Sequence, residues 1–509
     1  MNGLTVGYLA ERNARKYPDR EAAIHRTETG RVTEYTFAEF DDRTNRIANG
    51  LRERGVDEGD TVALYMKNNV ETLEVFLAVM KLGALPVPIN HRFKGEEVIY
   101  VLEDSNPQTA IVDEFGADTI ADIHDHPDVP VETFLYVGEE APSFAVDYET
   151  VVTNASDAPV DIVPGRNDDA ALMYTSGTTG KPKGCIFTHD NLITLAADGV
   201  YEGDHIEQGN RHMIITPLFH VGAFVPFITN FYAGGTTIVV DGFDPEQVLD
   251  YIEAESINSS YFVPTQSRQL LAVDGLEEYD FSSFESYGTG AAPSGPELKR
   301  EIIETFETDL VESFGQTEAL STRLPPDRTI DKAESVGRPA LNLEMKVVDS
   351  DGSRVPRGEI GRAGYKGPSV FAGYHGMPEK TAEVFDEDGW FISDDLIRRD
   401  EEGFVYFVGR ADDMIVSGGE NIHPTEIEEV LHEHPAVDEV AIVGVPDETW
   451  GERVKAAIVP REETSNLDEE EIVSYVEERI ASYKKPREVE FRTALPRNPT
   501  GKVLKGKLK

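Results

Sequence analysis

One stretch limits the folds open to this chain more than any other. An apolar run, Ala170-Ala171-Leu172-Met173, leads into Tyr174-Thr175-Ser176-Gly177-Thr178-Thr179-Gly180-Lys181-Pro182-Lys183-Gly184, and a helix-like segment starts near Asn191. The run reads as a buried strand, so the unit is strand, glycine loop, helix. The loop packs three glycines, four serine or threonine hydroxyls and two lysines into eleven residues. Glycine tolerates the backbone angles that turn N–H groups inward on a polyphosphate, the hydroxyls add donors, and lysine adds charge. It is not a Walker A loop, because two residues separate Gly177 from Gly180 where that loop needs four. Taken alone, a flexible surface turn is the competing reading.

Strand-like and helix-like segments alternate over about the first four hundred residues, the pattern of an α/β architecture. Helical patterning covers Thr36–Arg54 and Glu71–Lys81, with strands at Thr61–Met66 and Pro86–Ile89. The cycle recurs as strands Met213–Thr216 and Thr236–Val240, a helix Pro245–Ala254 and a strand Ser260–Val263. From Ser335 to Lys366 short strands and Gly/Pro turns mark a small β-rich subdomain. The expected organisation is a large domain over 1–409 and a small, mobile α+β domain over 410–509, with the boundary near Gly409-Arg410-Ala411-Asp412-Asp413.

A chain of 509 residues exceeds one core, and 39% apolar residues suffice for a sizeable interior. No apolar run reaches the ~18–20 residues of a membrane span, and the N-terminus lacks the pattern of a secretory signal. One cysteine, Cys185, excludes an internal disulfide and a cysteine-rich zinc site. The expected location is the cytoplasm. Net charge is −48, with acids scattered through ordinary globular sequence. That predicts a folded protein suited to very high salt, where the Debye length falls to roughly 3 Å. Nucleic acid is excluded as a partner by repulsion. Against this acidity, Lys484–Lys509 carries nine bases and two acids, a basic end suited to a phosphate-bearing ligand.

Four further segments complete a pattern. They are Gly288-Thr289-Gly290-Ala291-Ala292-Pro293, Ser313-Phe314-Gly315-Gln316-Thr317-Glu318, Asp388-Gly389-Trp390-Phe391-Ile392-Ser393-Asp394-Asp395-Leu396, and Pro496-Arg497-Asn498-Pro499-Thr500-Gly501-Lys502-Val503-Leu504. Together with the glycine loop and the boundary segment, in this order, the chain resembles the adenylate-forming enzymes. That superfamily includes acyl-CoA synthetases, peptide-synthetase adenylation domains and luciferases, and the match is best to fatty-acid and carnitine-type CoA ligases.

The resemblance implies a role for each part. Thr175, Ser176, Gly177, Thr178, Thr179, Gly180 and Lys183 would hold the ATP phosphates. Gly290, Ala291 and Ala292 would border adenine and the acyl group, with Phe314 and Gly315 against the adenine. Thr317 would contact the α-phosphate, and Glu318 with Thr175 would hold Mg²⁺. Asp395 would accept from both ribose hydroxyls, beside Arg410. Ser393 and Asp394 depart from the family's threonine and glycine, which leaves the local loop conformation open. Asp412 would be the pivot of the small domain, Gly419 would let the pantetheine arm of CoA pass, and Lys502 would bridge carboxylate and α-phosphate. His220, in Thr216-Pro217-Leu218-Phe219-His220, would flank the acyl site.

The implied reaction activates a small-molecule carboxylic acid with ATP and passes the acyl group to CoA. A medium- or long-chain fatty acid is the first expectation and an aryl acid of benzoate or coumarate type the second. A non-catalytic adenylate-binding relative is the alternative of another class, disfavoured because Lys502 and Glu318 are present. A second copy of the chain is allowed as a partner. Ile123-His124-Asp125-His126 and His432-Glu433-His434 are read as surface loops, and Cys185 as a small buried residue.

Overall fold

The computed structural model describes residues 4–27, 32–175, 181–202, 208–292, 294–411, 413–417, 420–447, 449–461, 467–497 and 503–509, without the side chains of 420 and 421. Helices begin where the sequence offers caps. Thr36 accepts from the Glu39 N–H and Glu39 reaches back to the Thr36 N–H, opening the helix Phe37–Arg52. Such a cap is worth about 1 kcal/mol. Asn69 caps the helix Val70–Lys81, which is buried on nearly every side. Its two buried charged residues, Glu74 and Lys81, are paired across to the helix Phe37–Arg52. Glu74 meets Arg43, and Lys81 donates to Asp41 at 2.6 Å and to Thr44 and Asn45 at 2.7 Å.

Five sheets organise the described residues. The largest has nine strands, in the spatial order 338–339, 319–324, 309–316, 286–290, 259–262, 211–214, 236–240, 21–26, 32–36. Its six central strands are parallel and its outer pairings antiparallel. A second, all-parallel sheet of five strands spans 61–147. The hairpin Asp169–Thr175 with Lys183–Thr188 forms a third sheet, joined by Gly373–Tyr374. That second hairpin strand lies where the sequence pattern offered only loop before the helix His189–Tyr201. The small β-rich sheet runs from Glu344 to Arg410, well past the expected Lys366, because Phe391–Arg399 and Val405–Arg410 pair with it. Charges at Asp394, Asp395, Arg398 and Arg399 hide that strand in the sequence.

Beyond Arg410 the strands join a separate sheet with its own core, built on Ile415, Ile427, Leu431, Ile442, Ile458 and Ile472. Alternating strands and helices, a large part followed by a small one, agree with the expected mixed α/β class. The C-terminal ends of the central parallel strands and the edge of this second unit enclose one cleft of about 2710 Å³. Ligands in open α/β sheets collect at such strand ends.

Candidate active site

Two turns carry chemistry into the cleft. The strand Asp309–Gln316 turns through Thr317-Glu318 into Ala319–Leu324, so Phe314, Gly315, Gln316, Thr317 and Glu318 all line the wall. Opposite, the hairpin at 169–188 brings up Thr175, Lys181 and Lys183. Tyr374 joins the two sides: its hydroxyl donates to Glu318 Oε1 at 2.7 Å and accepts from Lys183 Nζ at 3.2 Å. The lysine also lies 4.2 Å from the tyrosine ring centre. Burial first, and then the Glu318 carboxylate, push the Tyr374 phenol far above its ordinary range, so it stays a donor. Sequence reading missed this residue, and nothing in Gly373-Tyr374-His375 marks it.

Glu318 is 7% exposed and Thr175 Oγ1 is buried with no hydrogen-bond partner among the described residues. A buried, unsatisfied hydroxyl costs free energy unless a ligand reaches it. One buried carboxylate with an unspent hydroxyl fits Mg²⁺, which is commonly held by few carboxylates plus substrate phosphates. Among the described residues no three His, Cys, Asp or Glu side chains group to hold a metal without such help.

Asp395 is 5% exposed at the next wall. It stands opposite Arg410 in the register of the hairpin 391–410, with Arg410 Nη1 at 3.5 Å from Oδ1. Gln316 Nε2 donates to Asp395 Oδ2 at 3.3 Å and to Ser393 Oγ at 2.7 Å, and Ser393 Oγ also accepts from the Asp395 N–H at 2.9 Å. Serine at 393 thus keeps the bonds a threonine would make. Asp394 sits on the strand's other face, half-exposed, 3.5 Å from Arg362, so the extra carboxylate points away from Asp395. Phe314 packs beside Phe407, ring centres 5.3 Å apart and planes tilted by 46°, giving an apolar patch next to these acids.

His220 caps the helix Val221–Ala233, its Nδ1 accepting from the Gly222 N–H at 3.0 Å. Burial lowers its pKa to about 4, so the ring is neutral with its proton on Nε2. Ala291 and Ala292 line the cleft, but Gly290 does not. A Cβ at Gly290 would lie 2.2 Å from the Ser313 carbonyl oxygen and 2.6 Å from the Tyr261 hydroxyl, so glycine is needed there for close strand packing.

Of the expected site residues, Glu318, Thr317, His220, Thr175, Lys183, Ala291, Ala292, Phe314, Gly315, Asp395 and Arg410 come together in one cleft. Ser176, Gly177, Thr178, Thr179, Gly180, Asp412, Gly419 and Lys502 lie outside the described residues. The flanks of the last segment, Arg497 and Val503, pair with each other and both line the cleft. Cys185 is buried, as expected. His434 corrects the surface-loop reading, whereas His432 stays exposed at a helix end. His432 ends the helix Pro424–His432, and His434 is 3% exposed, accepting from the Ala436 N–H and packing 4.5 Å from the Tyr475 ring. Its place just after a helix end folds it under rather than outward.

Comparison with known proteins agrees with this geometry. Residues 10–375 match the AMP-binding enzyme family and 426–502 match the AMP-binding enzyme C-terminal domain. The chain is 36% identical over 514 aligned residues to a feruloyl-CoA synthase of Amycolatopsis, covering 100% of this chain and 99% of that protein. It is 35% identical over 502 residues to the long-chain-fatty-acid–CoA ligase FadD13 of Mycobacterium tuberculosis, covering 98% and 97%. The fold superposes on ATP-bound MatB from Rhodopseudomonas palustris with a TM-score of 0.89 at 32% identity, covering 100% and 98%. Two matched family models and end-to-end likeness to such ligases make the conclusion direct: the chain belongs to the AMP-binding enzyme family, the adenylate-forming enzymes, among its AMP-forming CoA ligases.

Proposed function

We propose that the cleft binds ATP with its phosphates between Lys183 and Glu318, its adenine against Phe314 and its ribose on Asp395 and Arg410. The observation that carries this reading is the meeting of Lys183, Tyr374, Glu318 and Asp395 in one cleft that the flanks of Lys502 also line. Thr175 and Glu318 would hold Mg²⁺, which when bound offsets phosphate charge. A carboxylate oxygen of the acid attacks the α-phosphorus, the bond to pyrophosphate breaks, and an acyl-adenylate forms. Lys502 would offset the negative charge that builds at that phosphate. The small domain, taken to start at residue 410, then swings about Asp412 and takes Lys502 away. The CoA thiolate, admitted past Gly419, attacks the acyl carbon and AMP leaves.

For the acid, the first reading is a medium- or long-chain fatty acid, supported by Val221, Val225, Pro226 and Val263 along the wall near His220. The nearby cation Lys299 does not favour a second carboxylate, because Glu312 at 2.5 Å already pairs with it and both are buried. An aryl acid is the second reading, favoured by the flat Tyr261 wall and by the likeness to a feruloyl-CoA synthase. The net charge supports work at high salt inside the cell.

The test is ATP–pyrophosphate exchange in molar KCl with a panel of aliphatic, aryl and amino acids, reading CoA-dependent AMP release in parallel. Exchange with fatty acids that vanishes in Lys502→Ala supports the proposal. Exchange with aryl acids alone moves the acid to the second reading. Folded protein with no exchange on any acid overturns the ligase reaction.

A further inference from the structure

The cleft has a second end, away from the phosphates. Gly290, Gly288 and Ser286 follow one another on a strand of the large sheet, and Tyr261 stands opposite Gly288 as Ser259 stands opposite Ser286. His212 is the next partner of Ser259 across the sheet. Residues two apart share a face, so Tyr261, Ser259, Ser286 and His212 all look the same way. The helix Val221–Ala233 covers that face, since its Asn230 amide bonds the hydroxyl of Thr237, which pairs with His212. From Gly290 to Ser286 is four residues, a depth of roughly 13 Å.

The deep end is polar where an alkyl tail would want hydrocarbon. His212 is 4% exposed, and it lines the cleft together with Ser259 and Ser286. A chain of hydrogen bonds fixes its ring. Asn230 Nδ2 donates to the Thr236 carbonyl at 2.9 Å and to Thr237 Oγ1 at 3.1 Å, leaving its Oδ1 to accept from Asn210 Nδ2 at 3.0 Å. Asn210 Nδ2 donates also to Ser259 Oγ at 3.0 Å. Among the described residues the Ser259 hydroxyl then finds one acceptor for its proton, His212 Nδ1 at 2.8 Å, and that assigns the tautomer. Burial lowers the His212 pKa to about 4, so the ring carries one proton, and with Nδ1 accepting it sits on Nε2. Nε2 bonds no described residue, and the ring lines the cleft, so this atom is open to what the cleft holds.

We infer that the acid taken by this cleft carries an oxygen at its far end, which accepts a hydrogen bond from the Nε2–H of His212, on an otherwise apolar body. The inference rests on the ligase reading and narrows its substrate. The depth suits a hydroxylated phenylpropenoic acid or a hydroxylated chain of medium length, and both present the same hydroxyl. A site that spends a buried donor on the substrate discriminates against the analogue lacking the acceptor, because the donor is then left unpaired.

The experiment compares kcat/KM in ATP–pyrophosphate exchange for two matched pairs, para-coumarate with cinnamate and an ω-hydroxylated with a plain medium-chain fatty acid. The wild type should favour the hydroxylated member of one pair by at least about tenfold. His212→Leu should abolish that preference while keeping exchange on the plain acid, and His212→Gln, which retains an N–H, should keep part of it. Preference in the aryl pair alone identifies the aryl source, and in the aliphatic pair alone the chain source. Equal rates within both pairs for the wild type overturn the inference without any variant, as does a preference that survives in a folded His212→Leu. No exchange with any acid is a different result: it removes the ligase reading, and this inference with it.

Discussion

The Tyr374 hydroxyl has a carboxylate on one side and an ammonium on the other, Glu318 at 2.7 Å and Lys183 at 3.2 Å. Lysine and glutamate are thus held one phenol apart, near enough to feel each other and too far to form an ion pair. A phosphate entering between them meets the cation without first breaking a direct salt bridge. Tyr374→Phe removes the spacer's hydroxyl and leaves Glu318 Oε1 without its donor, a loss of about 1–3 kcal/mol for a buried acceptor. The expected outcome is a fall of roughly tenfold or more in kcat/KM for ATP, since ~1.4 kcal/mol is tenfold. The KM for the acid should stay unchanged. Steady-state kinetics with ATP and acid varied separately make the check, and an unchanged ATP term removes the positioning role. Glu318 and Lys183 are legible in the sequence because each sits in a dense local string. Tyr374 is not, because 56 residues separate it from Glu318 and 191 from Lys183, and only the fold brings the three together. His212 escapes for the same reason, since its relay draws on residues from three separate strands and a helix.

At the scale of elements, regular periodicity carried well and short strands did not. The strand Thr236–Val240 and the helix Pro245–Ala254 stand where their apolar patterns put them. The strand Lys183–Thr188 was hidden because it begins straight after Pro182 with a charge and a glycine. The turn after Asp309–Gln316 shows how tightly an element can hold a site. A Cβ on Gly315 would fall 2.5 Å from the Ala319 carbonyl oxygen and 2.8 Å from Leu320 Cα and Ser321 N. All three are backbone atoms, which cannot swing aside as a side chain would. Gly315→Ala must therefore push the two strands apart at the place where Gln316, Thr317 and Glu318 leave them. Overpacking of this kind costs about 1–3 kcal/mol. A modest fall in melting temperature is expected, with exchange activity reduced far beyond it, by ~100-fold or more, because displacing reacting groups by an ångström is that costly. Thermal melting and exchange measured on one preparation decide the matter. Activity that falls only as far as stability does would show that the turn's geometry is not what the site needs.

Across the whole molecule the governing quantity is charge. Ninety-five acids face forty-seven bases, so even complete pairing leaves forty-eight carboxylates to repel one another. The repulsion is not spread evenly over the function. The cleft departs from the general excess of acid: Lys183, Arg410, Lys484, Arg497 and Lys505 line it among the acids, and Glu426, Glu428 and Glu439 there are paired with Lys484, Lys505 and Arg497. ATP therefore meets a wall of mixed charge with cations in reach of the phosphates, and the like charge that salt must screen lies over the rest of the molecule. At ~1 M salt the Debye length shrinks to about 3 Å, and that repulsion largely disappears. Two outcomes follow from one cause. The melting temperature should rise steadily as KCl goes from ~0.1 M to ~3 M, because screening relieves the folded state's self-repulsion. Over the same range the KM for ATP in exchange should rise, because screening weakens the attraction between the cleft's cations and the phosphates. Sucrose at matched osmolality separates screening from exclusion of cosolute, as it favours compactness without screening charge. If sucrose reproduces both effects, or if the melting temperature is flat in KCl, charge is not what sets this protein's salt response. If KCl alone raises the KM while sucrose only raises the melting point, the cations of the cleft are where salt acts on function.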